Sequence, residues 1–281
     1  MPILAIIGGD ARQERMAKTF AERGYTVRTF GLANGENRSL GETVRQANAV
    51  ILPVPATRDG ERVPTSSGGG VPFSALLPLL DPAALLLGGM LPESWIRSFA
   101  ARGGRTADYY REETVALRNA LPTVEGALRL AMESLPVTLF GTRLAVVGYG
   151  RIGSLLTEKL VALGARVAVL ARSPAARAAA ELRGAKAFPL SGEAIRAIAD
   201  CRLIFNTVPA RVFRAEDLRA LPSGCVLMEL ASASGGFDPK EAEAAGLRVI
   251  PAPALPRFYP ETAGRILADA ICGILENGTT L

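Results

Sequence analysis

Short apolar runs alternate along the chain with longer segments whose apolar positions recur at helical spacing, and glycine or proline marks most of the joins. In the first third this pattern predicts a strand over residues 3–7, a helix over 11–23 closed by Gly24, and a strand over 26–30. A helix over 40–46 and a strand over 49–53 come next, then a loop over 55–70 rich in Pro, Ser and Gly. Beyond the loop the pattern predicts a short helix near 73–80, a strand over 84–87, a helix over 94–102 and a strand over 106–110. Strands that alternate with helices build a parallel sheet, whose ligand face lies at the carboxyl ends of its strands. Those ends carry Asp10, Arg12, residues 53–57 and residues 88–90.

A connecting helix, read as starting at Pro122 and Thr123 and running to Met132, leads into a second α/β series. There an apolar strand enters Gly148-Tyr149-Gly150-Arg151-Ile152-Gly153, a G-x-G-x-x-G turn, and a helix over 152–163 follows. Glycine is needed three times: for the tight turn, for close approach of a pyrophosphate to the backbone, and for packing of helix on strand. The strand over 166–170 completes a crossover unit and ends in Ala171-Arg172-Ser173. An acid at that place holds the ribose 2'-hydroxyl of NAD, whereas a cation and a hydroxyl suit a 2'-phosphate. The expected cofactor is therefore NADP, with NAD as the alternative. Further strands over 203–206, 226–229 and 248–250 end near Thr207-Val208-Pro209 and Ser232, which are placed beside the nicotinamide ribose.

The expected fold class is α/β, with two doubly wound parallel-sheet domains. The second is a Rossmann dinucleotide-binding domain, and a C-terminal helix returns to the first. The expected boundaries are 1–120 for the substrate-side domain, 121–135 for the connecting helix, 136–253 for the Rossmann domain and 254–281 for the closing segment. A length of 281 residues, 49% of them hydrophobic, suffices for two such cores.

Composition narrows the chemistry. The net charge of +5 is scattered and aromatic residues are few, so no nucleic-acid platform is expected. No apolar run is long enough to span a bilayer and no leader pattern opens the chain, so a cytoplasmic protein without a membrane partner is expected. Cys201, Cys225 and Cys272 lie far apart, which suggests neither a disulfide framework nor a metal site. The chain has no histidine, which removes the imidazole base that ordinary 2-hydroxyacid dehydrogenation uses. Asp10, Glu125, Glu229, Tyr110 and Tyr259 remain as acids and bases.

Several segments in order carry a family resemblance: Gly8-Gly9-Asp10-Ala11-Arg12-Gln13, residues 51–57, Pro122-Thr123-Val124-Glu125-Gly126, the Gly148 turn, Asn206-Thr207-Val208-Pro209, and Pro256 through Pro260 to Thr262-Ala263-Gly264. Together they resemble the A subunit of dipicolinate synthase from endospore-forming bacteria. The chain departs from the family in the bulky Arg257-Phe258-Tyr259. The resemblance implies NADP-dependent oxidation of a hydroxylated or dehydrated tetrahydrodipicolinate to pyridine-2,6-dicarboxylate. It also implies partnership with a flavoprotein B subunit and the mother cell of a sporulating bacterium as location, and self-association is a further expectation. A dicarboxylate substrate needs cations or N–H groups, for which Arg12, Thr57, Arg257 and the helix starting at Thr262 are the candidates. Asp10, Arg12 and Glu125 are the catalytic candidates, although Asp10 and Thr262 also read as helix caps and Glu125 as a complement to a helix dipole. Two other readings stay open: an NADP enzyme acting on another small anionic imine or keto acid, and a non-catalytic nucleotide-binding component of a flavoprotein.

Overall fold

A computed structural model describes residues 1–35, 38–231 and 235–278. The chain divides into two compact units, Met1–Asn119 with Pro256–Leu281, and Ala120–Leu255.

In the first unit β1 (Ile3–Ile7), α1 (Ala11–Glu22), β2 (Thr26–Phe30), α2 (Leu40–Val44) and β3 (Ala49–Ile51) follow the alternation read from the sequence. Next come a two-stranded hairpin, β4 (Arg62–Val63) with β5 (Val71–Pro72), and then α3 (Phe73–Leu76). The hairpin stands where the sequence predicted only a loop, and it forms because Val63 and Val71 bury their side chains in the core beneath it. After it come β6 (Leu85–Gly88), α4 (Glu93–Ala100), β7 (Arg105–Asp108) and α5 (Glu113–Ser134). The five longer strands are all parallel in the order β2-β1-β3-β6-β7. This is a doubly wound sheet whose order reverses between β1 and β3.

Pro122 does not start a helix, because α5 passes through it. A proline inside a helix removes one i→i−4 bond and costs about 3 kcal/mol. Packing on both sides outweighs that cost: Val115 is buried in the core of the first unit, and Val124, Ala127 and Ala131 in that of the second.

The second unit continues with β8 (Arg143–Val147), α6 (Arg151–Ala162), β9 (Arg166–Ala171), α7 (Pro174–Leu182) and β10 (Lys186–Pro189). A 3-10 segment follows at Gly192–Ile198, and β11 (Leu203–Asn206), α8 (Ala215–Arg219), β12 (Val226–Glu229), α9 (Pro239–Ala244) and β13 (Arg248–Pro251) complete the unit. The helices α8 and α9 are too short to show a helical period, and for that reason the sequence pattern misses them. All six strands are parallel in the order β10-β9-β8-β11-β12-β13, the Rossmann arrangement. Alternation along β8 divides the core into two layers, with Leu144 and Val146 on one face and Ala145 and Val147 on the other.

The last helix, α10 (Pro260–Gly278), belongs to the first unit and packs on α1, as the sequence led us to expect. Leu267, Ala268, Ile271 and Cys272 share a buried cluster with Met16 and Phe20. Complete burial of side chains such as Met16 and Phe20 contributes about 2 kcal/mol each. Gly264 permits the contact, since a Cβ there would lie 2.5 Å from the Arg12 carbonyl oxygen. Among the described residues no helix is long and apolar enough to cross a membrane, and no cluster of potential metal ligands occurs.

Candidate functional site

In the second unit the turn after β8 is shaped around missing side chains. Gly148 has φ +96°, and a Cβ there would sit 2.4 Å from Thr207 Oγ1. At Gly153 a Cβ would lie 2.3 Å from the Gly148 carbonyl oxygen, so the first turn of α6 rests directly on the loop. Gly150 differs from both, because nothing lies within 4 Å of where its Cβ would be. It is the N-cap of α6, and no side chain caps the helix. A helix N-terminus left without a side-chain cap, reached through open space, fits the pyrophosphate of a dinucleotide.

The neighbouring strand supplies the next contact. Val147 on β8 pairs with Leu170 on β9, so Arg172 stands just beyond the strand beside the glycine turn. Arg172 is exposed, and among the described residues no carboxylate pairs with it. Its backbone is held by Arg177, whose Nη1 donates to the carbonyls of Ala171 and Arg172 at 3.0 and 2.8 Å. Ser173 caps α7 by accepting from Ala176 N–H at 3.4 Å, which leaves its own O–H to donate. Tyr149 is half-buried, and its hydroxyl accepts from Arg183 Nη1 at 3.4 Å. Arg151 is exposed and Ile152 packs on the core layer beneath α6.

Thr207 and Val208 lie over the same turn. The Thr207 hydroxyl donates to the Val147 carbonyl at 2.9 Å, and Pro209 beyond is exposed. The sequence reading missed the clamp beneath them. Asn206 Nδ2 donates to Glu229 Oε1 at 2.8 Å and to the Val208 carbonyl at 3.0 Å, while Asn206 Oδ1 accepts from Val208 N–H at 3.2 Å. Glu229 also accepts from the N–H groups of Ala231 and Gly236, at 3.0 and 2.7 Å. Glu229 thus fixes strand ends and is no spare base. Ser232 lies outside the described residues.

In the first unit the end of β1 carries a charge pair. Arg12 Nε donates to Asp10 Oδ1 at 2.9 Å and Arg12 Nη2 to Asp10 Oδ2 at 3.0 Å, a two-pronged pair. Arg12 Nη2 also donates to the Val54 carbonyl at 3.1 Å, and the arginine is buried to 6% exposure. Asp10 also caps α1 and forms a capping box with Gln13, so its structural and site readings coincide. Burial acts to raise the pKa of Asp10, but the hydrogen bonds and charge of Arg12, with the charge of Arg58, hold it below the usual 3.8. A carboxylate so engaged orients Arg12 and is a poor proton acceptor.

The remaining candidates are less concentrated. The Thr57 hydroxyl donates to Asp59 Oδ1 at 2.9 Å and accepts from Gly60 N–H at 3.0 Å, so it serves the turn. Backbone N–H groups of Glu61 and Arg62, with the Thr57 hydroxyl, lower the Asp59 pKa to about 2. The exposed cation that this turn presents is Arg58, which the sequence reading passed over. The Thr-x-Asp-Gly spacing around it was the available signal. Thr262 is exposed in the first turn of α10, which starts two residues earlier than expected, at Pro260. Arg257 is exposed, with its guanidinium 5.1 Å from the centre of the Phe258 ring. Glu125 belongs to the second unit, exposed in the middle of α5 and not in a first turn. It has no hydrogen-bond or ion-pair partner among the described residues. Tyr109 is buried and donates to the Leu52 carbonyl at 2.8 Å, and burial raises its pKa strongly, so it keeps its proton. Asp108, also missed, accepts from the N–H groups of Met90 and Leu91, both at 3.1 Å, and holds the loop after β6.

Comparison with known proteins agrees with both units. A family model described as the N-terminal domain of the A subunit of dipicolinate synthase matches residues 3–110. Another, the NAD-binding domain of D-isomer specific 2-hydroxyacid dehydrogenases, matches residues 122–234. The A subunit of dipicolinate synthase from Bacillus subtilis (strain 168) is 31% identical over 284 residues, covering 97% of this chain and 95% of that protein. The crystal structure of the same subunit from Bacillus halodurans matches with a TM-score of 0.87 at 27% identity, covering 98% of this chain and 97% of that one. The crystal structure of the Bacillus subtilis protein matches with a TM-score of 0.84 at 30% identity, covering 98% and 96%. A likeness of that level, carried along nearly the whole length and joined to a dinucleotide turn with an uncapped helix, means that this chain belongs to the family of dipicolinate synthase A subunits and is an NAD(P)-dependent oxidoreductase.

Proposed function

We propose that the chain oxidises a partly reduced pyridine-2,6-dicarboxylate, the hydroxylated tetrahydro compound or its dehydrated form, to the aromatic dicarboxylate. It does so with NADP in preference to NAD, and its partner is a flavoprotein B subunit. The observation that carries the substrate class is Arg12, buried yet charge-paired and held by Asp10 at the end of β1. Arg58 on the adjoining turn adds a second cation for a dianion. The NADP preference rests on Arg172 standing where an acid would select NAD. The partner rests on the relatives being subunits by name and on the family resemblance.

The roles divide between the units. Asp10 keeps the Arg12 guanidinium in one plane, so that its remaining N–H groups meet a substrate carboxylate without first being ordered. The backbone turn around Gly150 and the side chains of Arg172 and Ser173 hold the dinucleotide, while Asn206, Thr207 and Glu229 fix the strand ends around it. When bound, the oxidised nicotinamide supplies the hydride acceptor. Removal of water and of a hydride and a proton from the ring gives an aromatic product, so positioning matters more than a strong base, in keeping with a chain that lacks histidine.

The test follows pyridine dicarboxylate and reduced nicotinamide together by absorbance, after mixing the chain with NADP and freshly made hydroxytetrahydrodipicolinate, with and without the flavoprotein. Equal rises in both are expected. Bound NADP with no rise in either would transfer the activity to another small anionic imine or keto acid.

A further inference from the structure

The amino edge of the second sheet, at the opposite end of the strands from the glycine turn, gathers basic residues on one face. Arg143 opens β8 and is the register partner of Arg166, which opens β9. Lys186 opens β10 and pairs with Ala168 on β9, two residues along from Arg166. Arg202 directly precedes β11, and its N–H donates to the Arg143 carbonyl at 3.0 Å. Each of the four lies two residues before a residue of the same core layer: Ala145, Ala168, Phe188 and Ile204. Side chains alternate along a strand, so all four cations start on that one face, on the consecutive strands β10, β9, β8 and β11.

Adjacent strands are about 4.8 Å apart, and like charges placed opposite each other repel. Among the described residues only one carboxylate answers them, since Asp200 pairs with Arg143 and none pairs with Arg166, Lys186 or Arg202. Between the cations the surface is hollow. A cavity of about 280 Å³ is lined by Arg143, Arg166 and Lys186, with Ala168 and Gly184 as part of its wall.

We propose that this cavity binds a small, multiply charged oxyanion of the phosphate class, at a site separate from the dinucleotide turn. Three cations lining one cavity, two of them guanidinium forks, match the oxygens of a phosphate or diphosphate. The volume falls just below the roughly 300–1,000 Å³ of pockets for drug-sized ligands, which suits a compact anion. Bound there, the anion removes the repulsion that Asp200 only partly offsets.

The experiment is calorimetric titration of pyrophosphate into the full chain saturated with NADP, at constant ionic strength set by potassium chloride. One binding event per chain is expected. R166Q/K186Q is expected to weaken it at least ~tenfold, the scale of losing a hydrogen bond to a charged group. D200N is expected to tighten it, because the competing carboxylate is gone, and a gain of affinity cannot come from a damaged fold. The proposal is overturned by absence of heat or by equal binding in R166Q/K186Q. Binding that vanishes when NADP is present would assign the anion to the glycine turn instead. Binding of pyridine-2,6-dicarboxylate that weakens as much as that of pyrophosphate in R166Q/K186Q would overturn the phosphate class.

Discussion

Gly8-Gly9 before α1 and Gly148-Tyr149-Gly150 before α6 both follow the strand on which a parallel sheet reverses its order, yet the molecule fills one turn and leaves the other bare. At the first, Gly9 N–H donates to the Pro64 carbonyl at 2.7 Å and the Ser66 hydroxyl donates to the Gly9 carbonyl at 2.9 Å. A Cβ on Gly8 would lie 2.3 Å from the Pro64 oxygen, so the segment after β4 lies against the turn. Asp10 then closes the helix end with its own carboxylate. At the second, Gly150 faces open space and no side chain closes α6. Glycines after a strand therefore signal a turn. An anion site requires in addition that nothing in the chain has already taken the helix N-terminus.

The sharpest way to break this contrast is to give α6 the cap that α1 has. Gly150 has φ −86°, which any residue can adopt, so Gly150→Asp fits without strain. It is expected to leave the fold intact or more stable by a few tenths of a kcal/mol. It should also weaken dinucleotide binding roughly 100- to 1000-fold, since a carboxylate about 4 Å from a phosphate repels it by about 4 kcal/mol at a protein surface. Titration calorimetry and thermal unfolding of one preparation read both effects, and retained affinity would refute the site.

The opposite change removes the filling of the first turn. Asp10→Ala is expected to cost about 2 kcal/mol in a urea titration, from the lost cap and the lost partner of a buried arginine, with dinucleotide affinity unchanged. Because the folded-state pKa of Asp10 is depressed, its contribution is complete above pH 3.8 and is lost as the pH falls below it. Wild type and Asp10→Asn should therefore differ at neutral pH and converge in strong acid. A constant gap would assign the effect to packing.

At the bare turn, Arg172→Ala is expected to lower NADP affinity about tenfold and to spare NAD, as competition between the two cofactors would show. An equal loss for both would reduce Arg172 to a general attraction. The smallest effect is expected from Ser66→Ala, which deletes one exposed hydrogen bond to Gly9 and should cost about 0.5 kcal/mol without touching either affinity. A larger loss would mean that the segment after β4 holds the turn more firmly than its contacts imply.

Periodicity and glycine placement determined the two parallel sheets, the G-x-G-x-x-G turn, the Arg172 position and the return of α10, because each is written within a short window of chain. Asp10 was legible as a cap for the same reason. Tertiary structure alone decided the rest. Pro122 was misread because cores at both ends of α5 override a local rule, and the hairpin of β4 and β5 exists only because Val63 and Val71 find a core to enter. Asn206 with Glu229, Arg12 with the Val54 carbonyl, and Asp108 with the loop after β6 join residues 17 to 42 positions apart. The row of Arg143, Arg166, Lys186 and Arg202 becomes one feature only through strand register. Hydrogen bonds and charges act over a few ångströms, and chain order does not say which distant groups the fold brings within that reach.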